Sequence, residues 1–268
     1  MKSELGRNGW FSLIYHGLFV TFIMAPLIAV VLVSFTSKGY VSMPFDGASF
    51  KWFREIWSTP EITEAFWLSL WLGLGAATLA SLSAVPAALA LARYRFSGRD
   101  GLMAFLMSPM MIPHVVLGVA FLRFFSLMHT TGSFTTLMLV HVLIVLPYTL
   151  RLTLGALIGM ERDAELAAMS LGASRLTAFR RVLLPLILPG VIGGWVLAFI
   201  QSFDEVTMTI FVATPGTTTL PVFMYNRIAQ MTDPLVTAVS TVLIFGTLTV
   251  MLVLDRIVGL DQVLIGKK

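Results

Sequence analysis

The chain has 268 residues, of which 57% are hydrophobic and only 12% charged, and its mean hydropathy is +0.88. A soluble domain carries about 25% charged residues, so this chain lacks the polar surface to cover a globule in water, and lipid is its natural solvent. The formal charge of +4 calls for no nucleic-acid partner, and the absence of cysteine excludes disulfides, iron–sulfur clusters and thiol nucleophiles.

Six apolar blocks, near 13–35, 64–92, 102–127, 134–157, 182–212 and 234–258, reach the roughly 20 residues that a membrane-crossing helix needs. The first is long and has no small-residue cleavage pattern after it, so it reads as a retained span rather than a signal peptide. The predicted fold is therefore all-α: an integral membrane domain of six transmembrane helices over 13–258, between a short N-terminal segment 1–12 and a tail 259–268. After the first span, SKGYVSMPFDGASFKWF has the polar and aromatic character of a membrane interface. RYRFSGRDG after the second is short and basic, and HTTGS after the third is a minimal turn.

The basic residues set the orientation. With the N-terminus inside, thirteen of the 18 lysines and arginines fall on the cytoplasmic side: Lys2, Arg7, Arg93, Arg95, Arg99, Arg151, Arg162, Arg175, Arg180, Arg181, Arg256, Lys267 and Lys268. Lys38, Lys51, Arg54, Arg123 and Arg227 fall outside, and only this arrangement obeys the positive-inside rule. Both termini and the 158–181 loop are then cytoplasmic. Pro26, Pro86, Pro109, Pro113 and Pro147 lie within the blocks and read as kinks whose freed carbonyls find neighbours in a bundle or an aqueous path. Gly190 and Gly194, with Gly193 beside them, have the small-xxx-small spacing that lets two helix backbones approach, within the chain or with a partner.

The 158–181 loop is itself ordered. Asp163 is placed to cap a first helix through ELAAMSL, Gly172 to stop it, and Ser174 to cap a second helix carrying Arg175, Arg180 and Arg181. Pro185 and Pro189 mark the return to the membrane. An ordered, arginine-bearing surface loop on a membrane protein points to a docking partner.

One polar constellation interrupts the spans. FIQSFDEVTMTIF sets Gln201, Asp204, Glu205 and Met208 on one face if the fifth span stays helical. At 1.5 Å per residue from Pro185, Asp204 stands about 28 Å up, in the outer half of the bilayer. A carboxylate at bilayer depth costs at least about 2.5 kcal/mol, so it needs a partner or a water-filled cavity. The functional reading is a cation-attracting site on a translocation path; the alternative is an acid at the outer interface, capped or paired with Arg123 or Arg227.

Catalytic signatures are missing. There is no phosphate loop, no H-E-x-x-H and no G-x-S-x-G, and His16, His114, His129 and His141 are scattered without ligand spacing. His114 and His141 fall inside spans, where a hydrogen-bonded core histidine is the ordinary reading. The residues support neither catalysis nor a metal site.

The residues Leu166-Ala167-Ala168, Gly172 after a three-residue gap, and Val182-Leu183-Leu184-Pro185 at the right distance resemble the signature loop E-A-A-x3-G-x9-I-x-L-P. That loop belongs to the permease subunits of ATP-binding-cassette importers, and with the six-span layout the likeness covers nearly the whole chain. The resemblance implies a coupling helix, here Glu165, Leu166, Ala167, Ala168, Leu171, Gly172, Ala173 and Ser174, seated in a cleft of an ATPase subunit. It implies a second permease, two ATPase subunits holding ATP and magnesium, and an external solute-binding protein, in a bacterial inner membrane. This chain would be a non-enzymatic translocation subunit with no cofactor of its own. The motif's glutamate position is Leu166, with Glu165 one residue earlier; either Glu165 takes over contacts to the ATPase, or packing alone holds the site.

The stretch from Ser202, with its acidic pair and then Thr218, Leu220, Pro221 and Tyr225, looks like the fifth span and outer loop of spermidine/putrescine-type permeases. Permeases for other amines, opines, aminophosphonates and ferric iron share similar stretches. A multiply protonated amine crossing a low-dielectric path needs compensating charge, which the acids would supply. The competing class is an ATP-independent secondary transporter or channel, which would require internal repeats or intramembrane ion sites of its own.

Overall fold

A computed structural model describes residues 9–45, 47–160, 162–231 and 233–258, and every described regular element is helical. The segments 1–8 and 259–268, with Lys2, Arg7, Lys267 and Lys268, lie outside the described residues. Five helices are long and apolar enough to cross a bilayer. They are α1 (Gly9–Val33), α3 (Pro60–Arg93), α6 (Phe134–Ile158), the continuous run Arg175–Phe203, and α12 (Pro234–Val258). A short α2 (Lys51–Ser58) precedes α3, and α11 (Leu220–Gln230) precedes α12 in the sequence.

The predicted third span, 102–127, is not one helix. It consists of α4 (Arg99–Met111) and α5 (His114–Leu127), bent by 102° across a two-residue break. Ile112 and Pro113 are both extended there, with ψ 132° and 131°. Proline disfavours the helical region for the residue before it and lacks the N–H that a continuing helix needs, so the chain breaks there instead of kinking.

The fifth span also departs from expectation, starting earlier and ending sooner than 182–212. The second arm of the cytoplasmic loop, α8 (Arg175–Ala178), passes through a π-helical turn, Phe179–Leu183, into α9 (Leu184–Phe203) without a break. That widened turn stands just before Pro185, whose ring has no N–H to give the Arg181 carbonyl. Pro185 and Pro189 thus lie inside a helical run rather than marking its start. At the far end α9 stops at Phe203, and a short α10 (Thr209–Val212) follows after a turn.

The chain falls into two compact units. One contains α1, α2 and most of α12; α1 is apolar all round and buries none of its residues, as a helix bathed in lipid does. The other runs from Glu64 to Tyr225, and its centre is the packing of α3, α6 and α9. Leu72, Ala76, Ala77 and Ala80 of α3 meet Leu137, Val140, Ile144 and Val145 of α6 in one buried cluster with Ala198 of α9. Small residues set the approach: a Cβ at Gly194 would stand 2.9 Å from the Thr149 Cα, and one at Gly190 2.5 Å from the Ala156 Cβ. The glycine pair faces α6 of the same chain.

Candidate functional site

The polar constellation sits where α9 ends. Asp204 is the C-cap of α9, with its N–H on the Ile200 carbonyl at 3.0 Å, and Glu205 to Met208 form the turn into α10. Gln201, Asp204, Glu205 and Met208 therefore do not share one helical face, because the helix stops before the acids. Six of the nine residues from Gln201 to Thr209 are polar, a density that a lipid-facing helix cannot carry.

The two acids have different surroundings. Glu205 is 4% exposed, and both of its oxygens are engaged. Oε1 accepts the Met208 N–H at 2.7 Å, and Oε2 lies 2.7 Å from Nδ1 of His114, the first residue of α5 after the break. The buried carboxylate takes a histidine, not an arginine, as its partner, while Arg227 spends its Nε on Asp233 at 2.8 Å. Asp204 is exposed, and its carboxylate makes no hydrogen bond or ion pair among the described residues. Met208, predicted to line the path, is instead fully buried in the core with Leu72, Phe125 and Val212. Gln201 is half-buried in the last turn of α9.

The turn is held from two further directions. On α5, a Cβ at Gly118 would stand 3.1 Å from the Met208 Cα and 3.2 Å from its carbonyl, so only glycine lets α5 lie this close. On α6, the fully buried His141 places Nδ1 2.8 Å from Ser202 Oγ and Nε2 3.1 Å from Thr209 Oγ1. The break at Pro113 is what turns His114 toward Glu205. Ile112–Pro113 was the local signal for it; the contacts of His114, Gly118 and His141 are tertiary and had none.

The cytoplasmic loop is a helix–turn–helix. Its first arm is α7 (Asp163–Ser170), with Arg162 rather than Asp163 at the N-cap and Asp163 in the first turn, where its charge suits the helix dipole. Gly172 has φ +90°. Its N–H bonds the Met169 carbonyl at 3.0 Å, and the Ala173 N–H bonds the Ala168 carbonyl at 3.1 Å, which together close the helix with a Schellman motif. Ser174 Oγ accepts the Thr177 N–H at 3.2 Å and caps the second arm. Leu166, Ala167, Leu171 and Gly172 are exposed, with Leu171 at 91%, and Ala168 and Ala173 are half-buried. Glu165 turns inward, its Oε2 3.0 Å from Nη2 of Arg93 at the end of α3. No group of three or more His, Asp or Glu among the described residues could hold a metal ion.

Residues 84–260 match the family described as "Binding-protein-dependent transport system inner membrane component". The chain is 33% identical over 231 residues to the putrescine transport system permease protein PotI of Escherichia coli K12, covering 84% of this chain and 82% of that one. It is 31% identical over 262 residues to the spermidine/putrescine transport system permease protein PotC of the same strain, covering 98% and 97%. A putative 2-aminoethylphosphonate permease, PhnV of Salmonella paratyphi A, is 30% identical over 242 residues, covering 90% and 91%. A solved bacterial ABC transporter involved in the import of the acidic polysaccharide alginate shares the fold, with a TM-score of 0.73 at 15% identity over 96% of this chain and 98% of that one. The family match and these relatives together show that the chain belongs to the binding-protein-dependent inner-membrane components and is a permease subunit of an ATP-binding-cassette importer.

Proposed function

We propose that this permease passes polyamines, putrescine or spermidine, across the bacterial inner membrane, driven by ATP hydrolysed on separate ATPase subunits. The observation that carries the reading is the exposed, unpartnered carboxylate of Asp204 at the head of the fifth span. An ammonium group leaving water needs a fixed counter-charge, and a carboxylate with no cationic partner among the described residues supplies one. The names of PotI and PotC support the same substrate class. Glu205 serves as the anchor of the turn, its charge spent on His114 and the Met208 N–H.

The loop from Glu165 to Ser174 couples the permease to its ATPase, with Leu166, Ala167, Leu171 and Gly172 as the docking face. Exposed Leu166 and Leu171, on a loop that also exposes Arg162, Arg175 and Arg180, are the apolar surface such a partner would cover. The assembly contains a second permease, two ATPase subunits and an external binding protein, and both termini of this chain lie in the cytoplasm.

The test is uptake of labelled putrescine and spermidine in a strain lacking this subunit, complemented with wild type, Asp204→Asn or Glu205→Gln. Wild type and Glu205→Gln restore uptake, because an amide can still meet His114 and the Met208 N–H, whereas Asp204→Asn inserts and fails. Wild-type uptake through Asp204→Asn would refute the role of the exposed acid. PhnV favours a second reading, 2-aminoethylphosphonate, whose amine would suit Asp204 but whose phosphonate requires a basic group. The imidazoles at this turn are already engaged, His114 with Glu205 and the buried His141 with Ser202 and Thr209, and labelled aminoethylphosphonate in the same strain decides between the two.

A further inference from the structure

Two hydroxyls flank the acid-bearing turn: Ser202 in the last turn of α9 and Thr209 at the start of α10, 3% and 0% exposed. One imidazole meets both. His141 contacts Ser202 Oγ through Nδ1 at 2.8 Å and Thr209 Oγ1 through Nε2 at 3.1 Å, so a single rigid ring joins the residues just before and just after the turn. A neutral imidazole offers one donor and one acceptor, and a hydroxyl can take either role, so both contacts are satisfied in either tautomer. A buried polar set with every member satisfied rigidifies what it joins, since opening it strands groups where water cannot reach. Among the described residues His141 makes no hydrogen bond with either acid; what it holds is the backbone on both sides of them.

We propose that His141 is a positioning residue that clamps the two ends of the 203–208 turn and so fixes where the Asp204 carboxylate points. The inference rests on the reading of Asp204 as the substrate-facing acid. If the histidine merely filled space in the core, a ring of similar size without nitrogens would serve equally well. A clamp depends on both nitrogens.

The experiment uses the absence of cysteine: in the assembled transporter in lipid nanodiscs, Thr207→Cys gives this chain a single thiol on the exposed part of the turn. Ser83→Cys, on an exposed position of α3, is the reference. A nitroxide at 207 is expected to gain a mobile spectral component in His141→Phe, while the reference spectrum is unchanged. In the uptake strain the same variant raises the half-saturating putrescine concentration by about tenfold, below the roughly hundredfold that a 1 Å misplacement of a reacting group costs. Ser202→Ala with Thr209→Val removes the other side of the clamp, reproduces the spectral change with the histidine intact, and serves if His141→Phe does not assemble. An unchanged spectrum at 207 in both variants overturns the proposal, as does equal loosening at 83, which would make His141 a prop of the whole bundle. The spectra need no substrate, so a wild type that fails to transport putrescine refutes the polyamine reading and leaves the clamp to be judged separately.

Discussion

Gly193→Ala and Gly194→Ala, on adjacent residues of α9, separate close helix approach from helix propensity. A methyl at 194 would stand 2.9 Å from the Thr149 Cα and 3.2 Å from its carbonyl oxygen, both backbone atoms of α6 that cannot swing aside. A methyl at 193 meets only the Leu152 Cδ1 at 3.6 Å, an ordinary contact with a flexible tip. Favourable carbon–carbon separation begins near 3.5 Å, so α6 and α9 must part by roughly 0.6 Å at position 194 and by nothing at 193. Overpacking of that kind costs about 1–3 kcal/mol. Both substitutions gain the same helix propensity, about 1 kcal/mol, which cancels in the comparison. Gly194→Ala is therefore expected to be less stable than Gly193→Ala by about 1–3 kcal/mol. The assay is equilibrium unfolding in mixed detergent–SDS micelles, followed by fluorescence of the tryptophans, among them Trp195 beside the contact. Equal stability of the two variants would refute the view that this glycine sets the distance between α6 and α9.

Three further outcomes concern the cytoplasmic loop. Gly172→Asp puts an L side chain at φ +90° and a charge on the proposed docking face, so uptake should be lost while membrane fractionation finds the subunit inserted. Arg93→Glu and Glu165→Arg, each leaving like charges facing across a 3.0 Å contact, should each lower substrate-stimulated ATP hydrolysis by the complex, and the charge swap should recover much of it. Failure of the swap to exceed either single variant would remove the pair from the coupling route. Ser174→Ala loses the cap on the Thr177 N–H and should destabilise the second arm by about 1 kcal/mol, read as faster amide exchange at Thr177.

The lipid-crossing helices were legible because a bilayer imposes a length and a composition that few other environments demand. The loop was legible because Gly172 and Ser174 act locally: one supplies a positive φ, the other an N-cap oxygen, and neither depends on a distant partner. The bend at Ile112–Pro113 sat in plain view as a proline and its predecessor, yet hydropathy averaged over 102–127 joined the two helices into one span. The end of α9 was obscured in the same way. Periodicity extended the helix through Asp204 and Glu205, although the polar run from Gln201 to Thr209 marked a stretch too wet for lipid.

What no local pattern could show is how the two acids divide their roles. Adjacent in sequence, Asp204 and Glu205 read as a doubled negative charge; in the fold they lie one residue apart on a turn, where neighbouring side chains point in different directions. Glu205 is carried inward to 4% exposure, and a carboxylate so placed must be met by hydrogen bonds and a basic group, which Met208 and His114 supply. His114 is available only because Pro113 ends α4 and redirects the chain at 102°. The proline in one span and the acid in another are therefore parts of one device: the break brings in the base and the base holds Glu205, while Asp204, one residue earlier, stays exposed with no partner among the described residues. On the proposed path, this chain thus offers one carboxylate without a partner among its described residues, where two were expected. If the substrate is the proposed polyamine, its second ammonium group needs a counter-charge beyond this turn, which the proposed second permease would supply.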